Sequence, residues 1–118
     1  MSRLGSLIQN KRARREMLEA RLHLIVEQAK SLGAVKIVLF GSLARQEVDV
    51  DSDLDLLVIM PSSKSGKEWM GLLYEKLDRG VAADIIAYNQ EEYEGKLQES
   101  SFLRSIEQSG KTVYEKVI

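Results

Sequence analysis

The chain has 118 residues, 44% of them apolar and 30% charged, enough for one hydrophobic core and too few for two ordinary domains. It has no cysteine, which excludes disulfides, thiol catalysis and thiolate zinc sites, and one histidine, His23, which argues against a histidine-based metal site or a Ser-His-Asp triad and leaves acid–base or hard-metal chemistry to Asp and Glu. Net charge is −1, no apolar run approaches the roughly 20 residues that span a bilayer and no signal-peptide pattern is present, so a cytoplasmic single domain over residues 1–118, without membrane contact, is expected.

From Leu7 to Leu32 there is no proline or glycine, and Leu18, Leu22, Ile25 and Ala29 form one apolar stripe at helical spacing. Gly33 supplies a C-cap. The spacing predicts a long N-terminal helix within residues 1–32 whose second half packs on a sheet. Its first half, around Lys11-Arg12-Ala13-Arg14-Arg15, is too polar to be buried; it is expected to project, or to pair with another chain, a second copy included. Residues 1–30 hold seven Lys/Arg against three Glu. The bland reading of that surplus is the solvated face of a helix, and the sharper one an attraction for nucleic acid or an acidic partner.

Two short β-branched runs follow, Val35–Phe40 and Leu54–Met60, and read as strands buried on both faces. Residues 61–66 are a loop by composition. A helix is predicted over 68–79, with Trp69, Leu72, Leu73, Lys76 and Leu77 on or beside one face and Gly80 closing it. Residues 81–88 read as a third strand, Asn89 as the N-cap of a helix beginning near Glu91. A further helix is predicted over 101–108 with Phe102, Leu103 and Ile106 turned inward, ended by Gly110, and residues 112–117 as a short edge strand. This order predicts an α/β or α+β domain with a small mixed sheet.

Chemistry concentrates between the strands. Gly41-Ser42 ends the first, and Asp53-Leu54-Asp55 opens the second. A strand alternates with period two, so Asp53 and Asp55 point to one side. Two neighbouring carboxylates against apolar sequence repel each other and are tolerated mainly around a cation. Asp84 lies in an apolar run, where an unpaired carboxylate is expensive to bury, and a third strand beside the second would bring it to the same cluster. Magnesium suits oxygen ligands shared with water and phosphate, and two such ions about 4 Å apart activate one oxygen and stabilise another. Gly41 permits close approach of a phosphate to the backbone, and Ser42 adds a hydroxyl where a helix begins at Leu43. The bland readings are turn chemistry for the acids and an N-cap for Ser42. The alternating acids from Asp49 do not make an EF-hand, because its sixth and twelfth positions hold Leu54 and Met60; Ser65-Gly66-Lys67 does not end a P-loop, because Glu68 follows and Pro61 stands at the first glycine.

Gly41-Ser42, ten intervening residues, Asp53-x-Asp55 and a later Asp84 in a strand resemble the polymerase-beta-like nucleotidyltransferase superfamily. The string GSLARQEVDVDSDLDLLV is similar to its minimal nucleotidyltransferases, including the antitoxin halves of toxin–antitoxin modules. The resemblance runs from about Val35 to Tyr88, with a familial look to residues 110–115. It implies a palm-like fold with a mostly antiparallel sheet. It implies that Gly41 and Ser42 hold a nucleoside triphosphate such as ATP, that Asp53 and Asp55 bind two Mg2+ ions, and that Asp84 binds the ion activating the acceptor hydroxyl and accepts its proton. Arg45 would face the phosphates or brace the acids. The family often has glycine after that arginine, where this chain has Gln46. The resemblance further implies transfer of AMP to a hydroxyl on a separately encoded helical partner of HEPN type. A weakly active or inactive antitoxin or regulatory subunit, and an enzyme that modifies nucleic acid, are the alternatives.

Overall fold

The computed structural model describes residues 2–77 and 83–117. The elements run α1 (Arg3–Ser31), β1 (Lys36–Phe40), α2 (Gly41–Ala44), β2 (Leu54–Met60), α3 (Gly66–Lys76), β3 (Ala83–Asn89), α4 (Gln90–Glu99), α5 (Ser101–Ser109) and β4 (Lys111–Glu115). The sheet order is β3-β2-β1-β4. β1 pairs antiparallel with both β2 and β4, whereas β2 and β3 are parallel, with α3 lying between them in the chain. The fold is therefore α+β with a mixed, mostly antiparallel sheet, as expected.

Alternation along the strands sorts the core into two layers. Ile37, Leu39, Leu56, Val58, Met60, Ile85 and Ala87 face α1 and α3, meeting Leu18, Ile25, Ala29, Trp69 and Leu73. Val38, Leu57 and Ile59 face α4 and α5, meeting Tyr93, Leu103 and Ile106. Burying each such side chain contributes about 1.5–3 kcal/mol, so both faces of β2 are committed and its register is fixed. Leu54 to Met60 matches the predicted strand end to end.

The buried residues of α1 are Leu18, Ile25, Val26 and Ala29, all in its second half. Its first half extends past the sheet and leaves Leu4, Leu7 and Ile8 exposed, so the molecule measures 54 × 29 × 25 Å. Gly33 takes φ +105° after the last turn, and Ala34 N–H donates to Ala29 C=O, which is the glycine cap anticipated. Among the described residues no helix is long and apolar enough to cross a membrane.

Three details depart from the sequence reading. α3 begins at Gly66, inside the supposed loop, because Ser65 and Glu68 form a reciprocal capping box. Phe102 is half exposed rather than inward: α5 buries Leu103 and Ile106, and Phe102 meets the sheet only by its edge-on contact with Phe40. Lys76 is exposed too, its ammonium having no reason to leave water. The predicted helix end at Arg79, the Gly80 cap and the strand residues Val81 and Ala82 lie outside the described residues.

Candidate active site

The first turn after β1 builds one wall. Gly41 has φ +77°, a conformation that disfavours any side chain, and a Cβ added there would overlap Asp55 Oδ2. Phe40, across the sheet from Asp55, is the N-cap of α2 and offers its first N–H groups no side-chain acceptor. The short helix thus starts at Gly41 rather than Leu43, and Ser42 lies inside its first turn, not at the cap. Ser42 C=O accepts from Glu47 N–H at 2.9 Å, and Gly41 C=O from Arg45 N–H at 3.2 Å. Arg45 ends the helix, exposed, with its Nε 3.0 Å from Glu47 Oε2.

The acids come from the next two strands. Parallel pairing sets Asp55 directly beside Asp84, and parity puts both on the α4/α5 face, with Leu57, Ile59, Ile86 and Tyr88. Asp53 precedes the fully buried Leu54. Asp84 is exposed, in contrast to the burial expected from its apolar neighbours. β3 is an edge strand and Asp84 sits near its start, where the α4/α5 layer does not cover it. The Asp55 carboxyl is pushed above the usual carboxylate range, first by burial, then by the negative charges of Asp84 and Asp53, with Arg45 opposing. The three acids therefore share one electrostatic neighbourhood.

Among the described residues no three His, Asp or Glu side chains are drawn tightly enough together to hold an ion. The donor set is nonetheless all oxygen, negative charge from Asp84 and Asp53 adds to that of Asp55, and Gly41 leaves that carboxylate open on the side where a Cβ would otherwise stand. Such a set fits a hard divalent cation and does not fit a soft one.

Arg14 is the residue that sequence reasoning missed. From the projecting half of α1 its Nε donates to Ser52 C=O at 2.8 Å, and its Nη2 reaches Asp53 Oδ1 at 3.4 Å. The segment it grips is already tight: Asp49 N–H donates to Ser52 Oγ at 2.8 Å, and Ser52 N–H to Asp49 C=O at 3.2 Å. The available signal was helical spacing, because Arg14 stands one turn before Leu18 and so extends the apolar stripe with a cation.

Residues 21–113 match the family model of the nucleotidyltransferase domain. A crystal structure of a Sulfolobus solfataricus protein, provisionally assigned as a nucleotidyltransferase, is similar to this chain with a TM-score of 0.65 at 15% sequence identity, covering 91% of this chain and 88% of that one. At that identity the likeness speaks for the fold alone. Comparison with curated protein sequences gives no match.

Proposed function

The chain belongs to the nucleotidyltransferase domain family, and on that footing we propose that it is a magnesium-dependent enzyme moving AMP from ATP to a hydroxyl on a separate helical protein of HEPN type, as in toxin–antitoxin pairs. One observation carries the reading: the parallel register seats Asp84 beside Asp55, and Asp55 lies against a glycine with no room for a side chain.

In this reading Gly41 brings backbone N–H groups close to the triphosphate, and the Ser42 hydroxyl donates to it. Asp53, Asp55 and Asp84 are the residues that would hold two Mg2+ ions. Bound magnesium supplies charge neutralisation and orientation at the reacting phosphate. The acceptor oxygen forms a bond to the α-phosphorus, the bond from that phosphorus to the bridging oxygen breaks, and pyrophosphate leaves. Asp84, the exposed acid of the three, is the group suited to take the acceptor's proton. Arg45 tempers the charge on Asp55 and would face the phosphates or brace the acids.

Incubation with labelled ATP, magnesium and the product of any adjacent gene, followed by a search for AMP on protein, tests the activity. Asp53→Asn and Asp55→Asn are each expected to abolish transfer while the circular dichroism spectrum is retained. Wild-type rates in both variants would refute the assignment.

A second reading, a subunit that acts by binding its partner, is favoured by exposed Leu4, Leu7 and Ile8 on a helix that runs beyond the family match. If Asp84→Ala, inactive in transfer, still neutralises or tightly binds the partner, binding is the principal role.

A further inference from the structure

The family match begins at Arg21, so the first five turns of α1 lie outside it. Between Ser2 and Arg15 that stretch carries Arg3, Lys11, Arg12, Arg14 and Arg15 and no acid. Arg14 is engaged with Ser52 and Asp53. Lys11, Arg12 and Arg15 instead line a recess of about 260 Å³, walled by Ile8 and by Val48, the buried residue that anchors the segment before Asp49.

Arg15 makes the recess more than a solvated helix face. Its Nε is buried and has no hydrogen-bond acceptor, and among the described residues no acid pairs with Lys11, Arg12 or Arg15. Native proteins rarely leave a buried donor atom unmatched, and a lining of three cations with no acid suits an anion. A guanidinium offers a planar fork that matches phosphate oxygens, and a nearby lysine adds charge without demanding geometry.

We propose that this recess is a phosphate-binding site distinct from the Gly41-Ser42 turn, with Arg15 as its principal donor and Lys11 and Arg12 as supporting charges. The phosphate belongs either to a polynucleotide or to a free nucleotide. Since Arg14 joins the same stretch of helix to Asp53, a phosphate held there lies on the α1 flank of the acids. Its role as an acceptor handle rests on the nucleotidyl-transfer reading; its ability to bind phosphate does not.

The test is therefore binding without turnover, on the full chain in magnesium-free buffer with chelator. Inorganic phosphate, ATP and a short fluorescent single-stranded oligonucleotide are titrated into wild type, Arg15→Ala and the double variant Lys11→Ala/Arg12→Ala. Lys67→Ala, an exposed change on α3, is the control. Arg15→Ala is expected to weaken binding about tenfold and to reduce the salt dependence of oligonucleotide binding by about one unit of slope. Loss confined to the oligonucleotide assigns the site to polynucleotide phosphate; loss confined to ATP assigns it to the nucleotide. Should Arg15→Ala disturb the circular dichroism spectrum, the Lys11/Arg12 pair, whose charges are not core groups, decides by the same criterion. Unchanged affinity for all three probes, or equal weakening in Lys67→Ala, overturns the proposal. A chain that binds phosphate this way yet transfers no AMP leaves the recess standing and removes only the enzymatic reading.

Discussion

Gly41 meets two demands, a left-handed backbone at φ +77° and contact with a carboxylate that leaves no space for Cβ. Gly41→Ala breaks both. Left-handed alanine alone costs about 1 kcal/mol or more, and the overlap forces Asp55 out of place. The expected result is a stability loss of about 1–3 kcal/mol in urea unfolding and transfer below a hundredth of wild type; unaltered activity would separate Asp55 from the chemistry. Gln46 shows the opposite case. It has φ +60°, the one non-glycine residue with positive φ among those described, and it occupies the position where the resembling family often carries glycine. The turn shape is thus kept and the strain is borne by glutamine. Gln46→Gly is expected to raise stability by up to about 1 kcal/mol, the relief being partly offset by glycine's freedom in the unfolded chain. A lower unfolding midpoint in that variant would count against strain at this turn.

The strands were the most legible elements, because β2 and the middle of β1 are buried on both faces and read as continuous apolar runs. The helix starting after Asn89 was equally plain from its cap, which forms a full box with Glu92. Composition misled at α3, where Ser65 and Gly66 looked like loop although Ser65-x-x-Glu68 is a helix-start signal. The candidate acids could be picked out in the sequence, but their setting could not. Whether Asp84 is buried depends on β3 being an edge strand, and sheet order is not written in any local pattern. Arg14 was hidden for the same reason, since its partners lie 38 and 39 residues away. Its grip joins α1 to the segment entering β2. The ion pair is partly exposed, 21% and 43% for the two side chains, so it adds little by itself, and the bond to Ser52 C=O carries most of about 1 kcal/mol. Arg14→Ala is expected to speed amide hydrogen exchange in residues 49–53 while exchange in β1 stays as it was. Arg14→Lys should restore little of that protection, because an ammonium lacks the fork. Equal protection in all three proteins would deny the tether.

On the scale of the whole molecule, the α4/α5 layer is held by a polar clasp as well as by apolar contact. Tyr93 on α4 donates its hydroxyl to Glu107 on α5, and Lys36 at the start of β1 lies 3.1 Å from the same carboxylate oxygen. Phe102 packs edge-on to Phe40 at 6.0 Å on the same layer, so the clasp also steadies the strand end that faces Asp55. Burial, followed by Glu107, pushes the Tyr93 phenol far up, which keeps it a donor. The Glu107 carboxyl is held below its ordinary value of 4.5, first by the Tyr93 hydroxyl and then, against desolvation, by Lys36. A group depressed in the folded state stabilises it fully above the unfolded value and loses that contribution as pH falls through the folded one. Glu107→Gln should therefore be less stable than wild type at pH 7, by about 1 kcal/mol for a clasp partly open to solvent. The gap should close as pH drops below the ordinary glutamate range, because both proteins then present a neutral side chain to Tyr93 and Lys36. Urea unfolding of both proteins from pH 7 to pH 3 checks this. A gap that stays constant across the series would mean that Glu107 contributes shape rather than charge, and that the α4/α5 layer is held by Leu103, Ile106 and Tyr93 packing alone.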